Sequence, residues 1–338
     1  MSLNFIDILF RITIIYFLIA FGQILRHFTA DPDNSHAISY LTKIILDLFF
    51  PFLVISSILN VTVNSLFLVF FSVIFCIVIM ASGFLSVFFF SRFRSISRPT
   101  LGSMFFAVSF PNSVFLPFPL ILILIGSQGL ISATLFAVTV IVAQNSFGSF
   151  IAFTYGKPEE SIKLTFSSLF KKIFFFPPTL AMIIGFSLKI VFQPSSFTEL
   201  FSFLPFSSLQ ITSLVDIVSW ISLILALILV GITFDMRFSS FKNRFILETT
   251  FFRLIVAPLF GILFIFLISL FFQSSGIFQR DIIIPLLIQA FSGPAIINIA
   301  FAKEFSLDLD AESMYITIVT LLALFFLPLL VLISFTFL

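Results

Sequence analysis

The stretch Ser109–Leu124, SFPNSVFLPFPLILIL, lies inside a long apolar run yet carries three prolines and an asparagine. Proline removes a backbone donor and clashes with the preceding turn, so it interrupts a helix. Backbone groups freed in this way are tolerated at membrane depth only inside protein or beside a water-filled cavity. A second stretch of the same kind, IPLLIQAFSGPAIINIAFAKEF at Ile284–Phe305, carries Gly293, Pro294 and Asn298. Two broken helices crossing at mid-membrane present half-helix ends, free backbone groups and two amides, a constellation suited to an anion such as a carboxylate.

The composition makes these interruptions meaningful. Of 338 residues, 60% are hydrophobic and 9% charged, and the mean hydropathy is +1.25; soluble domains have about 45–50% apolar and about 25% charged residues. The chain therefore reads as a polytopic membrane protein. Its 56 phenylalanines are scattered through nearly every segment and read as lipid-facing and core bulk. A formal charge of +2 leaves no nucleic-acid footprint. Cys76 stands alone, so no disulfide or cysteine-based metal site is expected, and no cofactor is called for. The start, with Asp7 before Arg11 and no small-residue cleavage site, reads as a retained first helix.

Apolar runs near the roughly 20 residues that cross a bilayer fall at about 5–28, 38–60, 65–91, 100–125, 129–153, 172–193, 211–234, 245–272, 281–304 and 312–337. The expected fold is all-α, with ten transmembrane helices. One set of connections carries Arg26, Lys43, Arg92, Arg94, Arg98, Lys157, Lys163, Lys171, Lys172, Arg237, Lys242, Arg244 and Lys303, the other only Arg280. The basic side is expected to be cytoplasmic, which places both termini outside an inner or plasma membrane. The charged connection 156–171 divides the spans into residues 1–155 and 172–338, five on each side. Five is odd, so related halves form two inverted five-helix repeats, as is common in secondary transporters. Spans four and nine, the fourth of each half, are the two interrupted ones.

At these residues the sequence resembles the auxin efflux carrier family, which includes plant PIN-type exporters and bacterial carriers proposed for malonate and other organic acids. FPNSVFLPFPL, Phe110–Leu120, is similar to the plant pattern F-P-N-[ST]-x-x-x-G-x-P-L through Pro111, Asn112, Ser113, Pro119 and Leu120. It departs at Pro117, where the family has glycine, and at Val114. In GPAIINIAFAKEFSLD, Pro294, Ala295 and Asn298 match the bacterial P-A-x-x-N form, and LDLFFPFLVISSIL with Pro51 is similar to the family's second span. The resemblance implies a dimerising scaffold of spans one, two, six and seven and a transport domain of spans three to five and eight to ten. It implies a substrate carboxylate held at the crossover by Pro111, Asn112, Ser113, Pro294, Ala295 and Asn298, with Pro117, Pro119 and Gly293 as helix breakers, and elevator-type movement. The short connection between spans five and six leaves no room for the plant carriers' long regulatory loop.

Other polar residues are weighed against bland readings. Asp47 in span two and Asp216 in span seven are candidates for coupling, although Asp47 can pair with Lys43 one turn earlier. Gln144, Asn145 and Gln289 can line the cavity or only bond between helices. Lys189 lies near a span end and snorkels. Arg253 reads as a structural ion pair with Glu248 or a snorkelling side chain, with a role toward substrate as the alternative. Asp308, Asp310 and Glu312 lack the glycine and length of a calcium loop and read as a solvated helix connection. With only His27 and His36 and no nucleophile or P-loop motif, no enzyme or ATP-driven pump is expected. The functional expectation is a secondary carrier of an organic anion; the alternatives are a channel-like uniporter or a sodium- or proton-coupled symporter of another solute.

Overall fold

The computed structural model describes residues 5–28, 35–59, 66–156, 174–175, 177–192, 208–234, 245–272 and 279–337. The connection 157–173, its lysines, Arg237, Lys242 and Arg244, and the side chain of Asp216 lie outside the described residues.

The described residues are mostly helical, with no strand beyond one isolated two-residue bridge among them, and the helices are joined by short turns and extended stretches such as 110–116 and 291–297. In chain order the helices are α1 Phe5–Phe28, α2 Ser35–Ile44, α3 Phe50–Leu59, α4 Leu66–Ser91, α5 Arg98–Ser109, α6 Pro117–Leu124, α7 Leu130–Ala143, α8 Ser149–Tyr155, α9 Pro177–Phe192 and α10 Ser208–Thr233. They continue with α11 Ile246–Phe251, α12 Ala257–Phe272, α13 Arg280–Ala290, α14 Asn298–Glu304 and α15 Leu309–Phe337. Among the described residues, five helical runs are long and apolar enough to cross a membrane: Phe10–Phe28, Leu68–Ser91, Leu130–Tyr155, Ile246–Phe271 and Leu309–Leu327. Large apolar side chains such as Phe10, Phe17, Phe89, Phe266 and Phe271 are exposed on them, as lipid-facing surface requires. The chain is an all-helical integral membrane protein.

Among the described residues three helix joints are π turns, at Ile45–Phe49, Gln144–Gly148 and Phe252–Val256. Two have a direct chemical cause. Pro51 and Pro258 follow the first and third, and neither can donate to the carbonyl four residues before it. The ladder relaxes to wider bonds there, from Phe50 N–H to the Ile45 carbonyl and from Ala257 N–H to the Phe252 carbonyl. Such bulges turn side chains off the regular helical stripe and are frequent at functional positions. Asp47, Gln144, Asn145 and Arg253 all sit on them.

α1 lies along α10 and α3 along α9, while α4 packs against α5, α7 and α12, α15 against α5, and α13 against α7. The first contact is unusually close. A Cβ on Gly22 would collide with the Ile228 carbonyl, and one on Gly231 with the Ile19 carbonyl, so two glycines let the backbones of α1 and α10 touch. Side chains of α1 also reach α6 and α15. The Arg11 guanidinium donates to the Ile123 carbonyl at the end of α6, and the Tyr16 hydroxyl donates to the Leu324 carbonyl of α15 at 2.6 Å. Lys189 donates to the Leu59 carbonyl at the end of α3, at 2.6 Å.

Candidate functional site

The two proline-bearing breaks meet. Between α5 and α6 the chain leaves the helix at Phe110, and between α13 and α14 it does so from Phe291 to Ile297. Pro111 and Pro294 face each other as an antiparallel bridge, flanked by Asn112 N–H donating to the Gly293 carbonyl at 2.7 Å and Ala295 N–H donating to the Phe110 carbonyl at 2.9 Å. Antiparallel pairs alternate between positions that exchange hydrogen bonds and positions that do not. The prolines, which have no N–H, occupy the position that needs none. Each also disfavours helix in the residue before it, so the residues that break the helices are those that allow the breaks to pair.

Around this bridge the polar side chains are deeply buried. The Asn112 side-chain oxygen accepts from Phe115 N–H at 3.0 Å, steering the chain into α6. Pro117 then stands at the first position of α6, where a missing N–H costs nothing. The departure from the family's glycine therefore leaves a helix start intact. Asn298 opens α14, and its side-chain oxygen accepts from Gln144 Nε2 at 2.5 Å. The two amide nitrogens, Nδ2 of Asn112 and Nδ2 of Asn298, are buried without a hydrogen-bond partner. Two free donors thus flank the bridge, one on each broken helix. Gly293 is required here by close approach, since an added Cβ would strike Thr320 of α15. Thr320 Oγ1 is also buried and unpartnered, as is Ser109 Oγ at the end of α5.

Arg253 departs from the sequence expectation. It is fully buried and bonds neither Glu248 nor the surface. Its Nε donates to the Ser292 carbonyl at 3.0 Å and its Nη2 to the Ala290 carbonyl at 2.9 Å and the Gln289 carbonyl at 3.4 Å. In a continuous helix the Ala290 carbonyl would accept from residue 294, which is proline. The guanidinium supplies the missing donor and places positive charge at the negative end of α13. Its Nη1 remains unpartnered.

The remaining candidates divide. Gln144 joins the crossover through Asn298. Asn145 Nδ2 is spent on the Ile141 carbonyl of its own helix at 2.9 Å. Gln289 Nε2 donates to the Ala133 carbonyl at 2.8 Å and its Oε1 is unpartnered. Ser113 and Ala295 are buried in the bridge region. Asp47 is exposed and forms no ion pair with Lys43, which is exposed as well. Beside the crossover, Val114, Phe118 and Pro119 face Ile45, Leu53 and Ser222 across a cleft with about 20 Å³ of free space, room for about one water.

Glu312 also departs from the expectation of a solvated connection. Asp310 is exposed, and Asp308 accepts Ala311 N–H at 3.0 Å and the Thr100 hydroxyl at 2.6 Å as the cap of α15. Glu312, one turn on, is fully buried. An acidic residue in the first turn of an exposed connector and one facing the core look alike in sequence. What separates them is the packing of α15 against α5 and α14.

No curated protein matches the chain. The family described as membrane transport protein matches residues 7–331. With that match spanning nearly the whole chain, and with paired broken helices at its centre, this protein belongs to the membrane transport protein family, that of the auxin efflux carriers.

Proposed function

We propose that the protein is a secondary carrier for an organic anion or weak carboxylic acid, held at the crossover of the two broken helices. The observation that carries this reading is a set of donors left free there, beside the unpartnered acceptors Gln289 Oε1 and the Glu312 carboxyl. Asn112 Nδ2, Asn298 Nδ2 and Arg253 Nη1 are all donors, buried and unpartnered, and buried donors without acceptors favour a ligand that brings oxygen and negative charge. The carboxylate would accept from the two amides, with the full charge of Arg253 behind them. The alternation of access follows an elevator-type movement in two inverted five-helix repeats. The helices numbered three to five and eight to ten by span carry the site past those of spans one, two, six and seven. The most extensive helix pairings within the second set, α1 with α10 and α3 with α9, are consistent with that division. A homodimer in an inner or plasma membrane, with both termini outside, completes the reading.

Counterflow in proteoliposomes with a panel of labelled carboxylates tests it. The native chain is expected to show saturable exchange of at least one acid. Asn112→Ala combined with Asn298→Ala, reconstituted as folded protein, is expected to lose it. Exchange that persists in the double variant refutes the site, and absence of exchange with every carboxylate refutes the substrate class.

A further inference from the structure

Glu312 is a buried acid for which the carrier reading has so far no use. Its side chain is fully buried, and neither carboxyl oxygen makes a hydrogen bond of good geometry. An isolated ionised carboxylate in such a place is costly enough that the group neutralises itself or finds a cation. Among the described residues no cation bonds it. On the elements packed against α15, Arg98, Arg280 and Lys303 are exposed, as is the acidic Glu304. Arg253 holds the Ser292 and Ala290 carbonyls with its Nε and Nη2, and it makes no bond to Glu312. Glu248 and Asp281 are acidic. The charge that acts on Glu312 is that of Asp308, of like sign.

The polar neighbour of Glu312 is Asn298. The amide's oxygen is fixed by Gln144, so its Nδ2 is the atom left for either the carboxyl group or a ligand. That places a proton-binding group and a proposed substrate donor on opposite sides of one amide. When Glu312 is ionised, it draws Asn298 Nδ2 toward itself and its charge opposes an incoming anion. When Glu312 is protonated, the amide is released and the repulsion vanishes.

We propose that Glu312 is a proton-binding site linked to the crossover, so that an anion and a proton are bound together and travel together. The proposal rests on the carrier reading for its coupling but not for its protonation. No bond is made or broken beyond O–H: the proton enters from water as the anion binds and leaves with it on the other side. By reciprocity, protonation of Glu312 tightens anion binding and anion binding draws in a proton. For one linked proton, affinity falls at most about tenfold per pH unit as pH rises.

The test has two arms, each using the full chain in lipid. Infrared difference spectra over a pH titration are expected to show the carbonyl stretch of a buried protonated carboxylic acid in the native protein and to lose it in Glu312→Gln. The exposed Asp310→Asn is expected to keep it. If the band is absent from the native protein, or unchanged in Glu312→Gln, the proposal fails whatever the transport result. In proteoliposomes, a pH gradient with the acid outside is expected to drive accumulation of the anion by the native chain. Glu312→Gln is expected to keep counterflow and lose that accumulation, with a flat pH profile, and Glu312→Asp to restore part of the pH dependence. Accumulation by Glu312→Gln equal to native overturns the coupling. Accumulation that follows a sodium gradient and not the pH gradient overturns it in favour of a metal cation. If no carboxylate moves in any protein, the carrier reading falls and the coupling with it, and the infrared arm still decides the protonation.

Discussion

Replacing Arg253 by methionine removes the guanidinium that closes the end of α13 while keeping an unbranched apolar side chain. The structure sets the magnitude. The Gln289 carbonyl keeps a second donor, the Ser292 hydroxyl at 2.7 Å. The Ala290 and Ser292 carbonyls lose their bonds of 2.9 and 3.0 Å, and Pro294 has no N–H to offer Ala290. Each buried acceptor left unsatisfied costs about 1–3 kcal/mol. Relief from burying a guanidinium with one free nitrogen offsets part of this, leaving a net loss of about 2–4 kcal/mol. At roughly 2–3 °C per kcal/mol, Arg253→Met should melt about 4–12 °C below the native protein. Cys76 offers the assay, since it is the single cysteine of the chain and fully buried. A maleimide dye that fluoresces on reaction reports its exposure on heating in detergent. Arg253→Lys, a point charge able to reach one carbonyl but not hold both in a fork, should fall between the two. A melting curve for Arg253→Met that overlays the native one would refute the capping role and leave Arg253 as a charge with no structural duty.

Three further outcomes are expected. Gln144→Ala leaves the Asn298 side-chain oxygen without its donor and frees the amide to turn; the half-saturation concentration of the transported acid should rise about tenfold, corresponding to about 1.4 kcal/mol, as read by counterflow. Pro294→Ala returns an N–H to the Ala290 carbonyl and permits α13 to run on through the break; exchange should fall more than about tenfold with melting unchanged or raised, and native exchange would contradict the bridge as the site. Gly231→Val forces α1 and α10 apart at their point of backbone contact, so melting should show an overpacking cost of about 1–3 kcal/mol.

What was readable in the sequence, and what was not, follows from the range of each interaction. The breaks at Pro111 and Pro294 were legible because proline acts on its own backbone, and both asparagines lie within a few residues of one. That the prolines pair with each other was not legible, since their partnership spans residues far apart in the chain and depends on how α5 and α13 cross. Arg253 carried a partial signal: a proline four residues after Ala290 announces an orphan carbonyl, but not which side chain will serve it. Glu312 carried none. Its neighbours Asp308 and Asp310 look equally solvated in sequence, and only helix packing puts one acid in the core and another in water. The domain division and the inverted repeat rest on topology beyond the helices described individually, and stand as part of the functional proposal.

The bonds from α1 to the Ile123 and Leu324 carbonyls bear on timing. If the crossover travels relative to α1, both must part before each stroke and re-form after it. They add to the barrier without changing what is bound. Each 1.4 kcal/mol of such attachment slows a step by about tenfold. The first helix then acts as an escapement, and a chain relieved of Arg11 or of the Tyr16 hydroxyl would tick faster while binding its cargo as before.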